Sequence, residues 1–241
     1  LSLARLDVNI YLFDLLTKEK IINKDKTYAL THSTKKILLK FNLWEKLYPY
    51  LSTFDSLSIS DGLISKNSIF SILDLDNDIS SSNSIGWVVK HSELMRIFFQ
   101  EMDNCKNIIF KSSSDDLNEN LNFDYRFISI GSISNFKNNK KGFTFRKSYD
   151  QSCLTFKVLV RGNVKKRAYE IFREEGPLAL LPLDLNRYQV IWTASTYKSI
   201  DRLNSSESFL LDNLSTILPE NFKLDQIVSG INIFPVSLSL S

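Results

Sequence analysis

The stretch Gly176-Pro177-Leu178-Ala179-Leu180-Leu181-Pro182-Leu183 decides the reading of this chain, with Ala168-Tyr169-Glu170-Ile171-Phe172 before it and Val190-Ile191-Trp192 after it. Residues 178 to 183 and 188 to 194 are two apolar runs of strand length, and Asp184-Leu185-Asn186-Arg187 between them reads as a hairpin turn. Residues 153 to 160 alternate as a half-buried strand, and residues 227 to 234 read as a last strand. Ser206 is placed to cap a helix carrying Phe209, Leu210, Leu214, Ile217 and Leu218, which Pro219 ends. After Gln151 the chain is therefore a cluster of strands with a helix.

Before Gln151 strands alternate with helices. Residues 8 to 13 read as a short buried strand ending at Asp14, fed by the last turns of a helix over residues 1 to 6. Ile37, Leu38, Phe41, Trp44 and Leu47 recur at helical spacing, with Ser33 as the expected N-cap and Asn42 as a break. Residues 57 to 75, with the turn signal Asp61-Gly62, read as a β-meander, and residues 76 to 84 as a polar loop. Residues 87 to 89 form a short strand, and Ser92 is expected to cap a helix with Leu94, Ile97, Phe98 and Met102 on one face. Residues 108 to 111 and 127 to 130 read as strands, and residues 112 to 122 and 135 to 147 as loop.

Composition excludes several classes. The 241 residues are 43% hydrophobic and 24% charged, which is ordinary for a globular chain. Thirty basic and 27 acidic residues leave a net charge of +3, so nothing in the balance points to nucleic acid. The local run Lys137, Lys140, Lys141, Arg146 and Lys147 reads as a solvated loop. Cys105 and Cys153 lack metal spacing and suit a reducing compartment. With only His32 and His91 besides, no zinc site is expected. Asp74 and Asp76 lack the spacing and terminal Glu of a calcium loop and read as a solvated turn. There is no G-x-S-x-G elbow and no Walker loop. No apolar run reaches membrane-span length, and Leu1-Ser2-Leu3-Ala4-Arg5 does not read as a signal peptide. The first residue is not Met, which suggests a start inside a longer protein or a processed one.

Several segments, in order, resemble one family. Leu3-Ala4-Arg5-Leu6, then Ile10 and Asp14, resembles L-A-x-x-G-x-x-V-x-x-x-E, with Asp7 in place of the glycine. Lys26-Thr27-Tyr28-Ala29-Leu30 resembles R-x-x-A-L, and Phe41-Asn42-Leu43-Trp44 resembles L-G-L-W. Gly86-Trp87-Val88-Val89-Lys90-His91 with Leu94 resembles G-x-V-V-x-R/N-x-x-L, and Tyr149-Asp150-Gln151 resembles Y-x-Q. The opening stretch resembles A-x-x-R-F, G-P-x-A-L-L-P-L and V-V-W, and Phe234-Pro235-Val236 resembles F-P-L. These are the motifs of FAD-dependent aromatic hydroxylases of the ubiquinone-biosynthesis type, with a para-hydroxybenzoate hydroxylase-like fold. Three departures stand out. The G-x-G-x-x-G turn is absent, the later G-D segment is absent, and A-D-G-x-x-S is replaced by Ser129-Ile130-Gly131-Ser132-Ile133-Ser134.

The resemblance implies an α/β (α+β overall) chain truncated at both ends of its flavin domain. A partial Rossmann-like FAD-binding domain, residues 1–55 and 86–150, would interleave with a mainly antiparallel substrate-binding sheet, residues 56–85 and 151–241. Asp14 would take ribose hydroxyls, Lys26 would offset phosphate charge, and His91 and Gly131 would contact the cofactor. Read from sequence alone, these four are also a strand-end acid, a surface lysine, a helix-start histidine and a turn glycine. Gly176, Pro177 and Leu178 would shape the substrate side, or simply form a β-turn. Trp44 and Trp192 read as core residues. The implied chemistry is hydroxylation of a phenolic, prenylated quinone precursor with NAD(P)H and O2, the cofactor carrying the hard step, so no catalytic side chain is nominated. The alternative is a non-catalytic relative that binds a lipid or protein partner through the same sheet. The 241 residues alone are expected to be inactive. The family further implies a cytoplasmic location with peripheral membrane contact.

Overall fold

A computed structural model of the chain describes residues 1–62, 66–71, 74, 84–112, 123–127, 145–162, 166–184, 186–220 and 222–240. The apolar hairpin of the second half forms as its sequence requires. Strands β10 (Leu178–Pro182) and β11 (Arg187–Ser195) pair antiparallel, with Leu178 opposite Trp192 and Leu180 opposite Val190. β9 (Arg167–Phe172) pairs with β10, and the long β8 (Phe145–Arg161) pairs with β11 on the other side. β12 (Lys223–Ile227) and β13 (Asn232–Leu240) both add to β8. The residues expected to form one strand over 227 to 234 instead end one strand and begin another. Ser229 turns the chain between them, its hydroxyl taking the Lys157 N–H.

β4 (Ser56–Asp61) and β5 (Lys66–Ser71) come from the first half of the chain, yet β4 lies parallel to β9. The sheet thus runs β12-β8-β11-β10-β9-β4-β5, and the two halves of the sequence interleave. The expected loop over 135 to 147 is corrected at its end, because residues 145 to 147 already belong to β8 and pair with β13. The register of that pair shifts at Tyr149 and Asp150, and Asp150 takes a left-handed φ of 52°.

Alternation along the strands gives this sheet two faces. Leu154, Phe156 and Val158 of β8, Tyr169 and Ile171 of β9, Leu178 and Leu180 of β10, and Tyr188, Val190 and Trp192 of β11 share one face. Helix α6 (Glu207–Ile217) covers it with Leu210 and Leu214, both fully buried. Ser206 caps that helix, its hydroxyl accepting from the Phe209 N–H. α5 (Thr196–Leu203), which the sequence reading did not anticipate, packs beside β8 and β11.

The first half builds two smaller sheets. β1 (Ile10–Phe13) and β7 (Ile108–Lys111) pair in parallel. β2 (Thr27–Leu30), β6 (Gly86–Lys90) and β3 (Ser52–Phe54) form an antiparallel sheet with β6 in the middle. Residues 1 to 6 hold only a short 3-10 turn, Leu3–Arg5, rather than the end of a helix. α1 (Lys18–Ile22), also unanticipated, packs on α4 (His91–Asp103). α2 (His32–Lys40) begins at Thr31, not Ser33, and the Thr31 hydroxyl accepts from Thr34 N–H. The break falls at Asn42, with φ of 57°, before α3 (Trp44–Leu47). α4 starts from Lys90 without a side-chain cap, so Ser92 does not cap it. Trp44, Leu47, Trp87, Val89 and Ile97 make the core of this half. Phe54 and Val88 from it meet Ala168 and Leu183 of the large sheet. The Gly86 Cα lies against the Phe54 ring, where a Cβ would stand 2.3 Å from Cζ, so the β3–β6 contact requires glycine. Among the described residues no helix is long and apolar enough to cross a membrane.

Candidate functional site

The face of the large sheet opposite α6 carries Thr155, Gln189 and Ile191, and the edge strand β2 runs past it. Between them lies a cleft of about 230 Å³, lined by Lys26, Thr27 and Tyr28 on one side and by Thr155, Gln189, Ile191 and Phe234 on the other. Tyr28, Ile191 and Phe234 give it apolar surface, while Asp25, Lys26, Thr27, Thr155 and Gln189 make the rest of its lining polar.

Gln189 and Thr27 are held by their neighbours. Gln189 is 8% exposed. Its Nε2 donates to the carbonyls of Phe156 and Val190, at 3.0 and 3.2 Å, while its Oε1 accepts from the Thr27 hydroxyl at 3.3 Å. This contact crosses from the small sheet to the large one. At the rim the Lys157 ammonium pairs with Asp25 and closes the same junction. Lys26 is exposed and has no ion-pair partner among the described residues; its Nζ lies 5.8 Å from the centre of the Phe234 ring.

Behind the cleft, the Tyr28 hydroxyl meets His91 Nδ1 at 2.8 Å, and His91 Nε2 meets the Ile21 carbonyl at 2.7 Å. A carbonyl only accepts, so Nε2 carries the hydrogen and Nδ1 accepts from Tyr28. Burial raises the Tyr28 phenol above its ordinary value, which keeps it a donor.

The residues expected to bind ligands fall in different places. Lys26 reaches the cleft. His91 stands one residue behind it, with both ring nitrogens engaged. Asp14 is exposed at the end of β1, and one of its oxygens accepts from Leu16 N–H at 2.8 Å. Gly131, with residues 129 to 134 and Lys137, lies outside the described residues. Leu178 is fully buried beneath α6, on the face away from the cleft. Gly176 and Pro177 form the turn into β10, where Gly176 has a φ of 135° and a Cβ would sit 2.6 Å from the Thr193 carbonyl oxygen. The sequence reading missed Thr27, Tyr28, Gln189 and Ile191. The run over 188 to 194 reads as an apolar strand, and the period of two in any strand, which sets Gln189 and Ile191 on one face, is the signal that could have found them.

FAD is the group the resemblance implies, and two features here suit part of it. The free carboxylate oxygen of Asp14, at the C-terminal end of a parallel strand, suits a ribose diol, and the cleft beside Lys26 suits a flat ring. The 241 residues contain no G-x-G-x-x-G turn for the pyrophosphate.

No family model matches the chain. It is 23% identical over 258 residues to the uncharacterised protein slr1300 of Synechocystis sp., and spans 61% of that protein. Among solved structures it is similar to the p-nitrophenol 4-monooxygenase PnpA of Pseudomonas putida, with a TM-score of 0.68 and 10% identity, covering 98% of this chain and 64% of that one. PqsL of Pseudomonas aeruginosa, a probable FAD-dependent monooxygenase, gives a TM-score of 0.64 at 9% identity, covering 97% and 68%. HpxO of Klebsiella pneumoniae, solved with FAD and uric acid, gives 0.53 at 10% identity, covering 98% and 63%. At such identities the likeness is one of architecture, and the chain has the fold of these proteins.

Proposed function

We propose that this chain forms the body of an FAD-dependent monooxygenase that hydroxylates an aromatic substrate. The observation that carries the reading is the cleft between β2 and the face of the large sheet, set in a fold shared with flavin monooxygenases over nearly the whole chain. Residues 1–55 and 86–150 would serve the flavin, and residues 56–85 and 151–241 the substrate. Asp14 would hold the ribose, Lys26 would face negative charge on the cofactor, and His91 and Gly131 would line its approach. Gly176, Pro177 and Leu178 would act on the substrate side by shaping the turn and core beneath the sheet. FAD, once bound, supplies the oxygen-activating chemistry, with NAD(P)H as electron donor and O2 as co-substrate.

The chain's own residues orient the ring and exclude water. Tyr28, Ile191 and Phe234 give apolar walls, and Gln189, locked by three hydrogen bonds, offers a fixed polar floor. A phenolic, prenylated quinone precursor is the finer reading, and it rests on the match at residues 168 to 183. A cytoplasmic enzyme with peripheral membrane contact follows from the same source. A second reading is favoured by Ile130, which stands where the resemblance expects an acid: a non-catalytic relative binding a lipid or protein partner through this sheet. The test is oxygen uptake by the flavin-loaded full-length protein with NADH or NADPH and a panel of phenols. The proposal expects uptake matched by hydroxylated product. Flavin binding with no substrate-dependent product from any phenol would favour the second reading.

A further inference from the structure

On the opposite side of the large sheet from the cleft, Trp192 is 1% exposed and its ring has two guanidinium groups near it. The Arg202 guanidinium carbon is 4.1 Å from the ring centre, and that of Arg173 is 5.8 Å. Arg173 and Arg202 have side chains only 15% and 16% exposed. Glu175 is the carboxylate between them. Its Oε1 takes Arg202 Nη2 at 2.6 Å and lies 3.5 Å from Lys198 Nζ, and its Oε2 takes Arg173 Nη1 at 3.1 Å. Both carboxylate oxygens are therefore used, and three cations share one anion.

Four buried donors are left over: Arg173 Nε and Nη2, Arg202 Nη1 and Trp192 Nε1 have no hydrogen-bond acceptor among the described residues. Buried donors without acceptors are rare, and each needs a physical account. The identity of the Arg173 pair is informative. Nε and Nη2 form one edge of the guanidinium, the fork that grips two oxygens of a carboxylate or phosphate in parallel. We propose that Arg173, Arg202 and Trp192 form a binding site for a small oxyanion, a carboxylate or a phosphate group.

Either group supplies two parallel acceptors to the Arg173 fork and offsets the excess positive charge, and a phosphate has a further oxygen to offer Arg202 Nη1 or Trp192 Nε1. A water molecule could accept hydrogen bonds but would leave that charge uncompensated. The charge balance around Glu175 agrees. Burial alone would raise its carboxyl, yet Arg202, Arg173 and Lys198 outweigh burial and hold it below the ordinary value. The site is independent of the cleft: Trp192 and Leu178, opposite each other on β11 and β10, both face α6.

The experiment is a titration of the protein with inorganic phosphate and with acetate, at ionic strength held constant with sodium chloride, read by tryptophan emission and by thermal midpoint. Saturable change with at least one oxyanion is expected. The midpoint should rise by roughly 5–10 °C at a hundredfold excess over the dissociation constant. Arg173→Lys keeps the charge but loses the fork, and should abolish the saturable change. Glu175→Gln removes the competing carboxylate and should tighten binding. Emission and midpoint that follow ionic strength alone, with no difference between oxyanion and chloride in the wild-type protein, would overturn the proposal. Equal affinity in the wild type and in a folded Arg173→Lys protein would do the same.

Discussion

The Tyr28 hydroxyl donates to Nδ1 of His91 at 2.8 Å, and the opposite ring nitrogen of His91 donates to the Ile21 carbonyl at 2.7 Å. One imidazole thus ties β2, α1 and the start of α4 together. Replacing it with Ala leaves the Ile21 carbonyl with the long 3.4 Å bond from Lys24 N–H and frees the tyrosine. His91→Ala should destabilise the protein by about 1–3 kcal/mol, measured by urea unfolding. A loss within error would mean the bond to Ile21 contributes nothing.

Gly176 carries a second constraint. Its φ of 135° and the 2.6 Å approach to the Thr193 carbonyl leave no room for a side chain. Gly176→Ala should cost about 2–3 kcal/mol from backbone strain and overpacking together. Gly162→Ala, where φ is 90° and a Cβ would meet nothing, should cost less. The two midpoints in one urea series check the order.

Acid should act through Glu175. Its folded carboxyl is held below the ordinary value of 4.5, so it binds fewer protons folded than unfolded in that range. Its contribution is therefore complete above about 4.5 and lost as pH falls through the lower folded value. The stability difference between wild type and Glu175→Gln should stay constant from neutral pH to that point and shrink below it. A difference that grew on acidification would reverse the sign of the argument.

Much of this architecture is legible in the sequence, because period-2 alternation and turn residues act locally. The β10–β11 hairpin, the α6 cap at Ser206 and the break at Asn42 all follow from a few adjacent residues. What is not legible depends on distant partners. β2 is an edge strand whose pairing with β6 lies some sixty residues along the chain, from Thr27 to Lys90, so its short run gives little signal. α5 and α1 are short helices of eight and five residues, in which a helical period has little room to show. Thr31 and Ser33 are both good cap residues, and only the backbone path selects Thr31. The cleft joins residues 25 to 28 to residues 155, 189, 191 and 234, a meeting that no local motif announces. Leu178 shows the converse: it sits in a prominent motif, and its side chain packs the core on the face away from the cleft.

Filling the cleft should separate binding from folding. Ile191 lines it and is only partly buried. Ile191→Trp should therefore leave the far-ultraviolet circular dichroism unchanged while weakening aromatic ligands by at least about tenfold, roughly 1.4 kcal/mol. Calorimetric titration of both proteins with the same phenol measures it, and equal affinities would move the ligand site elsewhere.

Whether this fold serves a flavin is read from the absorption spectrum of the full-length protein. The protein is incubated with excess FAD, freed of unbound cofactor by gel filtration, and scanned through the visible range. The account predicts a retained flavin spectrum, and weaker retention in Asp14→Ala by about tenfold or more, the worth of a charge-assisted hydrogen bond to the ribose. The 241-residue chain by itself, without a glycine-rich phosphate turn, should retain far less. A full-length protein that stays colourless after reconstitution would show that the fold holds no flavin.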